Sequence, residues 1–322
     1  MLNVLLLVSI FAVGVVVLYF GAEATLHGAV NIATRMGISQ LVIGLTLVAF
    51  GTSCPELSLD VSAALRGSTD LALGDLVGSN IANIGLILGI AAIVCPLRVH
   101  MRLLRAELPI AIAVSLLVLA LAWDGVISRQ DGLIMLAMFV LFVGYSYRAA
   151  RQESAQVQRE IKEAAKDSLS VRKSWPMVVL GLLGLVAGAQ LMVYSAVESA
   201  RLIGVSELII GLTIVAMGTS LPELATSVVA ARRKEADIVV GNVIGSNIFN
   251  LLLVLAVVAI ICPVPVGTRS LHADLPVMIA FAAMLVPIMI RGKVVTRKEG
   301  ILLVIGMAAF LAWQLYSALH EL

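Results

Sequence analysis

The sequence predicts an all-α membrane protein of ten transmembrane helices, arranged as two inverted five-helix repeats. Three observations predict it. First, 61% of the 322 residues are hydrophobic and only 13% are charged, at a mean hydropathy of +1.06. A water-soluble globule of that composition could not cover itself with polar side chains. Second, apolar runs near the roughly 20 residues that cross about 30 Å of hydrocarbon recur along the chain. Third, sliding the sequence by 167 positions aligns Gly37–Pro96 with Gly204–Pro263 without a gap, and 32 of those 60 positions are identical.

The spans are read at 3–33, 39–65, 71–96, 104–122, 131–147, 176–200, 206–231, 237–262, 273–290 and 299–318. The first has no cationic stretch before Val4, which favours a span over a signal peptide. Its Gly21-Ala22 returns as Gly188-Ala189 in the sixth. The second and third spans carry the strong duplication with the seventh and eighth. Ala106-Glu107-Leu108-Pro109 opens the fourth and returns as Ala273-Asp274-Leu275-Pro276 in the ninth, and Asp131-Gly132 in the fifth matches Glu299-Gly300 in the tenth after one inserted residue. The units are therefore 1–147 and 176–322. They are joined by a predicted cytoplasmic linker, 148–175, whose mixed charges read as a solvated, orienting stretch.

An odd number of spans per unit forces the second copy to enter from the opposite face. That is the inverted-repeat plan of secondary transporters, with the site at the repeat interface. One set of alternate loops holds only Arg66, Arg129, Arg201 and Arg269, while the other holds 18 of the 22 Lys and Arg. The crowded side is cytoplasmic by the positive-inside rule, so both termini are expected outside the inner (plasma) membrane. Cys54, Cys95 and Cys262 all fall in apolar spans, and an odd, buried set argues for packing residues over a disulfide framework.

The chemistry sits in the duplicated stretch. Gly51-Thr52-Ser53-Cys54-Pro55-Glu56-Leu57 recurs as Gly218-Thr219-Ser220-Leu221-Pro222-Glu223-Leu224, each inside a long apolar run. Glutamate in hydrocarbon is costly, and proline removes a helical hydrogen bond while freeing a carbonyl. Both are tolerable where the interruption faces protein, water or an ion. Helical spacing predicts one polar stripe from Thr52, Ser53 and Glu56, and its copy from Thr219, Ser220 and Glu223. Downstream, Ser79 and Asn83 are i, i+4, as are Ser246 and Asn250, so four polar stripes can converge. The inventory is hard oxygen, which suits Ca²⁺, Na⁺ or another hard cation and not zinc or copper. Asp60 and Asp75 stand in the first half only, opposite Ser227 and Asn242, as either proton acceptors, vestibule charges or ordinary pairs near a span end. Glu23 and His27 on the first span read as a local pair, and Arg232, Arg233 and Lys234 as a cytoplasmic helix end.

GTSCPEL with GDLVGSNIAN, repeated as GTSLPEL with GNVIGSNIFN, closely resembles the α-repeats of the Ca²⁺/cation antiporter superfamily, specifically prokaryotic sodium/calcium exchanger proteins. The resemblance covers essentially the whole chain. It implies that spans two, three, seven and eight surround the ions while spans one and six slide across them. It also implies a Ca²⁺ site at Glu56 and Glu223 with the main-chain oxygens of Thr52 and Thr219. Flanking Na⁺ sites would use Ser53, Ser220, Ser79, Ser246 and the carbonyls of Ala49 and Ala216, with Asn83 and Asn250 in the remaining core positions and both glutamates shared. Part of the family carries Asp where Asn250 stands, so K⁺ dependence is not expected here. Cys54 replaces the Leu seen at Leu221.

The expected function is Ca²⁺/Na⁺ antiport by alternating access, with H⁺-coupled divalent-cation antiport as the alternative. Expected partners are these ions and the bilayer, with no nucleic acid, no cofactor and a monomer as the working unit. A passive channel fits broken helices at an inverted-repeat interface less well. An enzyme is not expected: there is no HExxH, and His27, His100, His272 and His320 all lie away from the repeated motif.

Overall fold

A computed structural model describes residues 2–99, 103–151, 170–205, 210, 214 and 216–320. Most of the expected linker 148–175 and the beginning of the expected span 206–231 lie outside the described residues.

The chain opens with α1 (Leu2–Met36), then α2 (Gln40–Thr52) and α3 (Cys54–Leu65). Next comes α4 (Thr69–Ala82), carried on through π-helical Asn83–Leu88 into Gly89–Val94. A π-helical turn, Leu103–Glu107, leads into α5 (Leu108–Leu121), and α6 (Arg129–Arg151) ends the first half. The same succession returns as α7 (Val171–Leu202), α8 (Ala216–Thr219) and α9 (Leu221–Arg232). Then α10 (Ala236–Phe249) runs through π-helical Asn250–Val254 into Leu255–Ile261. It is followed by α11 (Leu275–Gly292) and α12 (Arg297–His320). Among the described residues eight helices are long and apolar enough to cross a membrane, or nine with α2 and α3 taken as one bent span.

Local chemistry explains the punctuation. Pro55 cannot donate to the carbonyl of Gly51, so a helix running through it would lose a hydrogen bond. The chain instead breaks at Ser53 (φ −85°, ψ 3°), Pro55 falls in the first turn of α3, and α2 and α3 meet at a 44° bend. Ser220 repeats the break at φ −88°, ψ 4°, with Pro222 in the matching position. Gly37 and Gly204, at matching positions just past α1 and α7, adopt φ of 68° and 80°, the left-handed conformation that closes a helix most cheaply with glycine.

α4 and α10 are mostly buried and form the centre. α1, α6, α7 and α12 form an outer ring that turns Leu5, Phe20, Leu141, Leu180 and Ile305 outward, the lipid-facing surface of a membrane protein. α1 and α7 lie along each other. At their contact a Cβ on Gly21 would stand 2.7 Å from Leu185 N, and one on Gly188 2.5 Å from Leu18 N. The backbones touch there, a seam of small residues typical of helix packing in lipid.

Two short antiparallel ribbons tie the halves together. β1 (Leu97–Arg98) pairs with β4 (Val294–Val295), and β2 (Val126–Ile127) pairs with β3 (Val264–Pro265). By the duplication β1 corresponds to β3 and β2 to β4, so each ribbon is the other with the halves exchanged. Flanking bonds repeat the exchange: Val99 N donates to Lys293 O and Val266 N to Gly125 O, both at 2.8 Å.

Candidate functional site

Both glutamates of the repeated motif lie in the first turn of a helix that starts just after a break, Glu56 in α3 and Glu223 in α9. The unpaired N–H groups of a helix start carry partial positive charge, which offsets part of the cost of a buried carboxylate. Each glutamate is 1% exposed. Thr52 closes α2, Ser53 and Ser220 occupy the breaks, and Thr219 ends α8. The expected stripe of Thr52, Ser53 and Glu56 on one helical face is therefore corrected. The helix ends between Thr52 and Cys54, and it is the break, not a continuous face, that gathers these groups.

Hydrogen bonds between the halves show the convergence. Ser53 Oγ donates to Glu223 Oε1 at 3.4 Å. Thr52 Oγ1 lies 3.3 Å from Asn242 Oδ1. Asn83 Nδ2 donates to Asn247 Oδ1 at 2.9 Å, and Asn250 Nδ2 to Asn80 Oδ1 at 3.3 Å. Ser79, Asn83, Ser220, Ser246 and Asn250 are all buried, with exposures of 0 to 4%. Seven buried oxygens in this cluster have no hydrogen-bond partner: Glu56 Oε2, Glu223 Oε2, Ser79 Oγ, Ser220 Oγ, Ser246 Oγ, Asn83 Oδ1 and Asn250 Oδ1. Unmatched buried oxygens contributed by both halves are of the chemical kind that a hard cation takes as ligands.

The main-chain positions are less open. Ala49 O already accepts from Ser53 N at 3.0 Å and lies 3.3 Å from Thr52 Oγ1, so a cation would share it through its second lone pair. Ala216 begins α8, two residues before Gly218. Thr52 Oγ1 also reaches Val48 O at 3.1 Å.

A model of the family described as sodium/calcium exchanger protein matches the chain twice, over residues 6–148 and 173–316. The chain belongs to that family. Among relatives of this exchanger, the putative antiporter CaxA of Alkalimonas amylolytica is 38% identical over 96% of this chain and 98% of its own length. The sodium/calcium exchanger MaX1 of Methanosarcina acetivorans is 32% identical over 95% of this chain and 98% of its own. The inner membrane protein YrbG of Escherichia coli is 38% identical over 85% and 86%. Among solved structures, the sodium-calcium exchanger NCX_Mj soaked with Na⁺ and Sr²⁺ superposes with a TM-score of 0.84, at 31% identity, over 96% of this chain and 98% of its own. The exchanger is a multi-pass membrane protein.

Sequence reasoning missed several polar groups of this exchanger's centre. Asn80 and Asn247 were legible as identical residues three positions before Asn83 and Asn250, yet only the structure gives them partners. Asn242, Thr226 and Ser227 form a further buried group, with Asn242 Nδ2 3.4 Å from both hydroxyls. Asp60 is 1% exposed, and Oδ2 of both Asp60 and Asp75 is buried without a partner. Asp75 has Thr219 as a hydrogen-bonding neighbour. The Glu23–His27 pairing is corrected: Glu23 accepts from Tyr19 and forms its ion pair with Arg233, just beyond α9.

Proposed function

We propose that the protein is a secondary antiporter that exchanges Ca²⁺ for Na⁺ by alternating access, through ten spans in two inverted repeats. The observation that carries this reading is the approach of the two glutamate-bearing breaks, with Ser53 Oγ, three residues before Glu56, 3.4 Å from Glu223 Oε1. Each glutamate comes from a different half, each follows the same proline-marked break, and each keeps a buried oxygen unpartnered. Ca²⁺ would bind Glu56 and Glu223 with the main-chain oxygens of Thr52 and Thr219. Na⁺ would use Ala49, Ser53, Ser79 and Asn83 with Ala216, Ser220, Ser246 and Asn250, sharing the glutamates.

Charge supplies the coupling. Two carboxylates are neutralised by one Ca²⁺ or by two Na⁺, and they do not hold both loads at once. With neither, two buried negative charges would have to move through a low-dielectric environment, at a cost of several kcal/mol per ion. The site therefore crosses loaded, and the two fluxes are tied. The backbone seam between α1 and α7 supports a pair of outer helices that slide as one unit. The names of MaX1 and NCX_Mj as sodium/calcium exchangers support the ion pair, and that of YrbG supports an inner-membrane location. Because one chain supplies both halves of the site, a monomer suffices, with both termini extracytoplasmic by the charge asymmetry of the loops.

The test is ⁴⁵Ca²⁺ uptake into sealed proteoliposomes loaded with Na⁺. Uptake should follow the outward Na⁺ gradient. Uptake that is unchanged when this gradient is collapsed rejects Na⁺ coupling, and uptake driven by a pH gradient without Na⁺ replaces it with H⁺ coupling.

A further inference from the structure

Resting on that reading, we propose that Asn80 and Asn247 are positioning residues, which turn the neutral amides of Asn83 and Asn250 into fixed oxygen donors for the monovalent ion. An asparagine is an ambiguous ligand. Rotated by half a turn about its last bond it offers an NH₂ group, which repels a cation. In this protein both amide nitrogens are taken by the opposite half: Asn83 Nδ2 by Asn247 Oδ1 and Asn250 Nδ2 by Asn80 Oδ1. The two bonds are the same bond with the halves exchanged. What remains of Asn83 and Asn250 is an unpartnered, buried Oδ1 on each.

A main-chain group sets the direction. Asn247 Nδ2 donates to Asn80 O at 3.2 Å. A carbonyl can only accept, so Asn247 must aim its nitrogen there and its oxygen at Asn83. Asn83 is thereby obliged to donate. On the other arm, among the described residues, Asn80 Nδ2 meets only Met278 Sδ at 3.5 Å, a weak acceptor, so Asn80 is held less firmly. The backbone serves the same end. The α-to-π change begins at Asn83 in one half and at Asn250 in the other, and such interruptions cluster where a side chain is aimed for function.

The test is a pair of double-mutant cycles in reconstituted full-length protein, Asn80→Ala with Asn250→Ala and Asn247→Ala with Asn83→Ala. Two quantities are read for each: the Na⁺ concentration that half-saturates Ca²⁺ efflux, and the Ca²⁺ concentration that half-saturates Ca²⁺/Ca²⁺ self-exchange. Each single variant should raise the Na⁺ value about tenfold, with Asn247→Ala the larger effect, and each double variant should add nothing to the single. For Asn80→Ala and Asn247→Ala self-exchange should move less than about twofold, which also certifies a folded carrier. Asn80→Asp keeps an acceptor facing Asn250 and should stay within about threefold of wild type, where Asn80→Leu does not. Additive shifts, or equal shifts in the Na⁺ and Ca²⁺ values, reduce these residues to packing and overturn the proposal. A wild type without Na⁺ dependence instead defeats the antiport reading itself.

Discussion

The two halves share the break, the proline and the glutamate, but one turn beyond each glutamate they part. In the first half Glu56 is followed by Asp60, and Asp75 precedes Ser79; the matching residues in the second half are Ser227 and Asn242. Ser227 and Asn242 satisfy each other at 3.4 Å, and Asn242 Oδ1 lies 3.3 Å from Thr52 Oγ1. Asp60 and Asp75 each keep a buried oxygen without a partner. The centre thus carries matching residue types in both halves, while its flanks are acidic at Asp60 and Asp75 in the first half and uncharged at Ser227 and Asn242 in the second. Duplication can preserve a binding site while the two routes to it diverge in charge.

The strongest way to break the symmetric part of this comparison is at the glutamates. Glu56→Gln and Glu223→Gln should each lower Ca²⁺ flux at least about 100-fold, since removing one partner of a buried charged set typically costs about 3 to 5 kcal/mol. The two losses should agree within about threefold, given the matching helix-start positions. Normal exchange in either variant would remove that glutamate from the site.

The asymmetric part is sharpened by making the halves alike. Buried negative charges near a divalent cation attract it even through a screened, polar interior, so Asp60→Asn with Asp75→Asn should weaken Ca²⁺ activation about tenfold. The weakening should appear with Ca²⁺ offered at the face of the 66–68 loop and be small at the other. Adding Asn242→Asp should then strengthen activation at the opposite face, by less, because Ser227 Oγ, which accepts from Asn242 Nδ2, can rotate its hydroxyl to donate to an acid there. Equal effects at both faces in sided vesicles would dissolve the distinction between the routes.

Much of this was legible in the sequence, for physical reasons that differ from place to place. The duplication fixed which residues correspond, and the cost of glutamate and proline in hydrocarbon marked Glu56, Pro55, Glu223 and Pro222 as residues needing an explanation. The Ser and Asn positions followed from helical spacing. That spacing misread Thr52, Ser53 and Glu56 as one stripe, because it assumes a helix that the proline ends. Partners far away in sequence were out of reach. Asn80 and Asn247 act across the halves, the two-residue ribbons are too short to show an alternating pattern, and Glu23 finds Arg233 where local reasoning offers His27.

That last pair yields the smallest effect and a final test of the halves. Glu23 on α1 and Arg233 just beyond α9 form an ion pair, with exposures of 25% and 35%, between an outer helix and a helix of the site. The duplication matches Arg233 with Arg66 but Glu23 with Gln190, so no equivalent ion pair can form on the other side. If α1 moves across α9 during transport, the pair favours the conformation seen here over its mirror. A partly exposed pair contributes about 0.2 to 1 kcal/mol, so Arg233→Gln should shift the balance of the two conformations only about two- to fivefold. Gln190→Glu, which gives Arg66 a partner, should shift it the opposite way. Accessibility of single cysteines placed at the two ends of α1, in a background with Cys54, Cys95 and Cys262 replaced, reads that balance directly. Shifts in the same direction for both variants would mean that the pair braces α1 in every conformation and selects none.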